Sequence, residues 1–231
     1  MNVMRRSVLT VADSQTVERF CRTSRLTRGL INRFVAGETL DEALAAAADI
    51  QAQRMTTTLD LLGENVTTPH DAERASAAYI DILRRMRADG LEPNISIKLT
   101  MLGLDLGDDV ALENLKPILE AAKDVGGFVR IDMESSAYTE RTMDILTDVH
   151  ARFPGCVGTV VQSYLRRAEA DVRHAIAIGV RLRLVKGAYA EPETIAFQSR
   201  REVDANFVTL MRLLLDAGPY PAIATHDPAL I

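Results

Sequence analysis

Six short apolar runs alternate with longer amphipathic stretches from about residue 57 onward. The runs fall at 57–62, 95–100, 128–133, 157–162, 180–186 and 222–225. Each is too short for a buried helix and nearly continuous in Val, Ile and Leu, the pattern of a strand covered on both faces. Between them, 71–88, 108–123, 139–152, 166–178 and 194–215 carry apolar residues at helical spacing. Pro69, the Asp108–Asp109 pair and Pro192 stand at or just before the expected helix starts, and Gly90, Gly126 and Gly218 follow the ends. Strand alternating with helix predicts parallel strands joined by right-handed crossovers. Residues 1–56 read differently. Segments 16–35 and 38–55 are helical in period, the second rich in alanine. The expected organisation is an N-terminal helical arm over 1–56 and an α/β domain over 57–231.

Six strands leave two architectures. A closed β/α barrel takes eight. An open doubly wound sheet usually carries a glycine-rich phosphate loop after its first strand. Here the first run is followed by Gly63-Glu64-Asn65, and neither G-x-G-x-x-G nor a P-loop occurs. The pattern therefore favours a TIM-type barrel of the (β/α)8 kind, incomplete at about six strands.

Composition narrows the classes. The chain is 47% hydrophobic, only 5% aromatic and free of tryptophan, so the core is aliphatic. The net charge of −5 comes with no basic stripe, which argues against nucleic acid as a partner. Cys21 and Cys156 are far apart, as a reducing cytoplasm allows. His70, His150, His174 and His226 lack metal-ligand spacing, so no metal is expected. His150 and His174 fall in helices and read as surface residues. Arg5 and Arg6 precede an apolar run too short for a signal peptide. No stretch of about 18 apolar residues occurs, and contact with a membrane surface stays open.

The candidate chemistry lies where apolar runs end in polar residues: Lys98, Asp132, Gln162, Arg183 and His226. Polar tips at one end of consecutive parallel strands are the layout of a barrel active site. Lys98, in Ile95-Ser96-Ile97-Lys98-Leu99, reads as a cation for a small carboxylate or as an exposed strand-end lysine. Asp132 can orient a lysine, meet a ligand or cap the next helix, where Ser135 and Ser136 also offer caps. Gln162 can donate and accept at the edge of a heterocycle, or serve as a structural hydrogen bonder. Gly187, in Arg183-Leu184-Val185-Lys186-Gly187-Ala188-Tyr189, would let a flat ligand approach the backbone. Asp60 and Glu64 bring two carboxylates to the end of the first strand. Paired acids suggest glycoside hydrolysis, or more simply an ion-pair partner, Glu64, for Arg183. No serine or cysteine stands in a nucleophile elbow.

At these residues the chain resembles the proline dehydrogenase family, the flavin enzymes that occur alone or within the bifunctional proline utilisation protein. The matching segments are Leu59-Asp60-Leu61-Leu62-Gly63-Glu64, Ile95-Ser96-Ile97-Lys98-Leu99-Thr100, Ile131-Asp132-Met133-Glu134, Gly158 through Leu165, Arg183 through Tyr189 with Glu191-Pro192, and Ala224-Thr225-His226-Asp227. They stand in family order over about residues 57–228, in the style of the short monofunctional bacterial branch. The resemblance implies a distorted β/α barrel holding FAD at its strand tips, oxidation of L-proline to 1-pyrroline-5-carboxylate, and electrons passed to a membrane quinone. It implies a cytoplasmic protein with peripheral membrane contact open to it. By position Lys98 is similar to the residue that meets the proline carboxylate, Asp132 to its partner, and Arg183 to the arginine near flavin N5. Gln162, Arg183, Val185, Lys186, Gly187, Ala188, Thr225 and His226 match the flavin contacts, Tyr189 the aromatic that shapes the pocket, and Glu64 a gate that pairs with Arg183 when substrate is absent.

The family pattern also has two further strands and a last helix bearing an arginine pair and a glutamate, with a tyrosine nearby. None follows Ala224-Thr225-His226-Asp227 here. The expectation is weak turnover, poor FAD retention and self-association through open barrel edges. Two alternatives accompany this reading: a non-catalytic, self-associating fragment, and a different barrel enzyme using Lys98 as a Schiff-base amine.

Overall fold

The computed structural model describes residues 35–231. The predicted helix at 16–35 and Cys21 lie outside the described residues, apart from the last position of that helix. The chain divides into two compact units at Thr56 and Thr57, and each is described by itself. In the first, helix α1 (Leu40–Ala52) starts at a complete capping box. The Thr39 hydroxyl accepts from the Glu42 N–H, and the Glu42 carboxylate accepts from the Thr39 N–H. Leu44 and Ala47 are its buried residues.

The second unit runs β1 (Leu59–Asp60), α2 (Pro69–Ala88), β2 (Asn94–Ile97), a 3-10 turn (Leu99–Leu102), α3 (Asp108–Val125), β3 (Phe128–Ile131), α4 (Ser136–Arg152), β4 (Val157–Gln162), α5 (Ala168–Ala177), β5 (Arg181–Val185), α6 (Arg200–Ala217) and β6 (Ala222–Ile223). All neighbouring strands are parallel, and the sheet order is β1-β2-β3-β4-β5-β6. This order never reverses, as a doubly wound sheet must. Six strands wound one way form a half-barrel, with the crossing helices on one face.

The other differences from expectation are local. Lys98 is not within a strand: β2 ends at Ile97, and Lys98 leads extended into the 3-10 turn. Helix α6 begins at Arg200 rather than near 194, because Ala196 bridges Leu165 and Ser199 caps the helix through the Glu202 N–H. Helix α4 begins three residues early, at Ser136. Its first N–H and hydroxyl donate to the Glu191 carboxylate at 2.7 and 2.5 Å, so an acid from a distant loop caps it. His150 is half-buried rather than on the surface, with Nε2 3.1 Å from the Ile178 carbonyl oxygen. His174 is exposed.

The sheet has two unlike faces. Along β5, Leu182 and Leu184 are buried while Arg181, Arg183 and Val185 are half-buried. The helix-facing side continues through Ile95, Ile97, Val129 and Ile131, all fully buried. Each such side chain contributes roughly 1.5–3 kcal/mol by leaving water. On the inner face, register lines up Asp60, Ser96, Arg130, Gly158 and Arg181 as one cross-strand row. Arg130 is 4% exposed, stacks on the Phe128 ring, and donates through Nη1 to the Thr159 and Arg181 carbonyls across Gly158. A side chain at 158 would collide with the Arg181 carbonyl and the Phe128 ring, at 2.3 and 2.8 Å. Burial, then Arg183, brings the Arg130 guanidinium down to about 10.

Candidate active site

The inner-face row ends, toward the strand tips, in two ion pairs. Lys98 Nζ lies 3.2 Å from Asp60 Oδ2. Arg183 Nη1 lies 3.3 Å from Asp132 Oδ1, and Arg183 Nη2 donates to Ser96 Oγ at 3.2 Å. The Ser96 hydroxyl donates in turn to Asp132 Oδ1. Serine, arginine and aspartate thus lock one another across three strands. Burial raises Asp132 above the usual carboxylate range, while Arg183, Lys98 and the Ser96 hydroxyl oppose the rise. Two residues on, the Glu134 carboxylate is buried and holds Thr100 by its N–H and hydroxyl.

Beside these pairs a cavity of about 600 Å³ opens between the loop after β5, Val185 to Tyr189, and the loop after β6, Ala224 to Pro228. Gln162 at the tip of β4 and Arg200 of α6 complete its lining. Gln162 is 2% exposed, and its Nε2 donates to the Met133 and Glu134 carbonyls at 2.9 Å each. Those two acceptors fix the amide's orientation. Its Oε1 is buried without a partner. Gln162 therefore presents only an acceptor, not the donor-and-acceptor edge expected from sequence.

Gly187 serves a different neighbour from the one expected. Its φ is +115°, and a Cβ there would lie 2.2 Å from the Tyr164 ring. Glycine is needed at 187 because Tyr164 packs against the backbone; Gly187 also lines the cavity. Tyr189 is pushed up to about 12, by burial first and then by Glu64, Glu134 and Asp132.

A charge cluster holds the two loops together. Lys186 Nζ lies 2.6 Å from both Asp204 Oδ1 and Asp227 Oδ2. Arg200 reaches Asp227 at 2.5 Å and Asp204 at 3.4 Å. Lys186, the Ala229 N–H and Arg200 hold the Asp227 carboxyl far below its ordinary range. Asp204 and Asp227 raise Lys186.

Lys98, Asp132 and Arg183 therefore meet at one end of the sheet. Gln162, Val185, Lys186, Gly187, Ala188, Tyr189, Thr225 and His226 line one cavity. The expected Glu64–Arg183 pair is not formed. Glu64 is exposed, and Arg183 is paired with Asp132, on a strand closer within the sheet. Lys98 pairs with Asp60, not Asp132. Sequence reasoning missed Ser96, Thr100, Glu134, Arg200 and Asp204 as partners. Ser96 and Glu134 were within reach, since each stands two residues from a residue singled out, on the same face by strand alternation. Among the described residues no group of three or more His, Cys, Asp or Glu side chains could hold a metal ion.

A sequence profile for proline dehydrogenase matches residues 43–229. This chain belongs to the proline dehydrogenase family. The proline dehydrogenase of Deinococcus radiodurans is 36% identical over 231 residues, covering 98% of this chain and 74% of the relative. Proline dehydrogenase 1 of Bacillus subtilis is 34% identical, over 99% of this chain and 75% of its own length. Among solved structures, proline utilization A of Bdellovibrio bacteriovorus, inactivated by N-propargylglycine, superposes with a TM-score of 0.79 at 26% identity. That match covers 87% of this chain and 26% of the other, so this chain spans about a quarter of the bifunctional protein's length. The family is one of oxidoreductases, and its barrel is the one seen here as a half-barrel. The alternative of a different barrel enzyme built on a Lys98 Schiff base falls with the family assignment.

Proposed function

We propose that this chain oxidises L-proline to 1-pyrroline-5-carboxylate with FAD bound in the 600 Å³ cavity, electrons then passing to a membrane quinone. The observation that carries this is Gln162, which lines the cavity and whose buried Oε1 has no partner. A buried acceptor without a donor costs roughly 1–3 kcal/mol. The N–H of a flavin's imide edge would satisfy it, so the residues fit the cofactor. Gln162, Val185, Lys186, Gly187, Ala188, Thr225 and His226 would hold FAD. The bound flavin supplies the two-electron acceptor for the hydride from proline C5.

The chain's own residues do the rest. Lys98, on the turn after β2, meets the substrate carboxylate as its ammonium exchanges Asp60 for the ligand. Tyr189 would close one side of the cavity. Arg183 places a fixed cation where negative charge grows during reduction, and Asp132 with Ser96 keeps that cation from moving. Glu64, exposed at the mouth, acts as a gate once it swings toward a cation. No described helix is long and apolar enough to cross a membrane.

Purified protein should show flavin absorbance that bleaches with proline and recovers with an artificial acceptor. N-propargylglycine should abolish the turnover. A colourless protein that neither takes up added FAD nor oxidises proline would overturn this reading.

A further inference from the structure

Glu134 takes no part in the chemistry above, yet it is a buried acid, 3% exposed. Burial raises it above its ordinary range, with the Thr100 bonds opposing the rise. A buried carboxylate is costly, and an apolar residue of like size is often the more stable choice. What Glu134 contributes is position. Its Oε1 accepts from the Thr100 N–H at 3.3 Å and its Oε2 from the Thr100 hydroxyl at 2.5 Å. Thr100 is fully buried, two residues past Lys98 in the turn that Lys98 opens. The Lys98 carbonyl accepts from the Met101 N–H in the same turn, and the Thr100 carbonyl accepts from the Val66 N–H of the loop after β1. The backbone carbonyl of Glu134 accepts separately from Gln162 Nε2 at 2.9 Å. One residue after β3 thus grips the tip of β2 with its side chain and the tip of β4 with its main chain.

We propose that Glu134 is a positioning residue whose side chain aims Lys98 at the substrate carboxylate, while its backbone carbonyl independently sets the Gln162 amide. The role of Lys98 rests on the function proposed above. The division between side chain and backbone makes the inference separable from a general structural role. Replacing the Glu134 side chain should disturb what Lys98 does and leave what Gln162 does.

Glu134→Leu should raise the KM for proline by about tenfold or more, since small misplacements at a binding group cost that much. The dissociation constant of FAD should stay within about threefold. Glu134→Gln keeps an acceptor for the Thr100 N–H and can donate to the Thr100 hydroxyl oxygen, so it should restore KM to within about threefold. Combining Glu134→Leu with Lys98→Met should add little to Lys98→Met alone, because the two act as one unit. A second readout needs no turnover. Pulse acetylation with peptide mass spectrometry measures the reactivity of Lys98, whose side chain is 14% exposed, against Lys116 at 65%. Glu134→Leu should speed Lys98 labelling by about tenfold relative to Lys116, and Glu134→Gln should not. Thr100→Val removes one of the two bonds and should shift both readouts in the same direction by less, standing in if Glu134→Leu does not fold. Unchanged Lys98 labelling, equal acceleration at Lys116, or KM and FAD affinity moving together would overturn the proposal. If the unmodified protein neither binds FAD nor oxidises proline, the proposed function fails while the labelling still decides Glu134.

Discussion

The two faces of the sheet divide stability from chemistry. On the helix-facing side Ile97, Ile131 and Leu184 are fully buried and uncharged. One residue along from each of these, Ser96, Asp132 and Arg183 form a charged network on the inner side. A strand alternates its side chains, so a single segment of four or five residues can serve both tasks without compromise. The contrast teaches that the polar interruptions in these apolar runs are not flaws in a core. They are the second face.

The comparison breaks if substitutions on the two faces have the same consequences. Ile131→Ala should cost about 2–5 kcal/mol of unfolding free energy, because it leaves a cavity under the helices. Denaturant unfolding measures this, and the KM for proline should be unchanged in the folded fraction. Arg183→Ala should slow flavin reduction about 10²–10³-fold with FAD affinity little altered, as stopped-flow absorbance will report. If instead FAD is lost and reduction of the residual complex is normal, the inner face is a binding surface only.

Acid should sharpen the contrast. Asp132 and Glu134 are both raised by burial. Between the ordinary carboxylate range and the raised values, the folded protein holds protons that the unfolded chain has released. Their contribution to stability is greatest below the ordinary carboxylate range and falls as pH rises through the raised values. Asp132→Asn and Glu134→Gln should each flatten that part of the stability–pH curve in chemical denaturation, whereas Ile131→Ala should lower the whole curve without changing its slope. The smallest effect is expected at Arg200. Its side chain is 76% exposed, and Lys186 remains on both Asp204 and Asp227 without it. Arg200→Ala should leave stability nearly unchanged, visible at most as a modest shift in Tm that shrinks with added salt.

The six-strand alternation and the parallel sheet were legible because each strand is a buried apolar run bounded by turn residues. So was the set of strand tips, since a polar residue closing such a run has few places to go. Pairing was not legible. Lys98 could meet Asp60 or Asp132, and only the three-dimensional stagger of β1 against β2 selects Asp60. Arg183 meets Asp132 rather than Glu64 because Asp132 follows β3, nearer to β5 in the sheet than β1 is. The start of α6 was misread because Pro192 signals a turn as readily as a helix, and the bridge from Ala196 to Leu165 depends on residues far apart in sequence. At Gly187 the ring of Tyr164 by itself requires glycine, a packing reason that shows only in the folded chain.

Sequential strand order also shapes how the molecule is made. Every strand pairs only with the strand before and after it in the chain. Each new βα unit emerging from the ribosome finds its docking edge already present, so assembly can advance strand by strand in chain order. The charge cluster that joins Lys186 to Asp227 spans β6, which follows the five other strands in the chain. The cavity lies between the loops after β5 and β6, so a ligand that meets both loops is captured only once β6 has docked on β5.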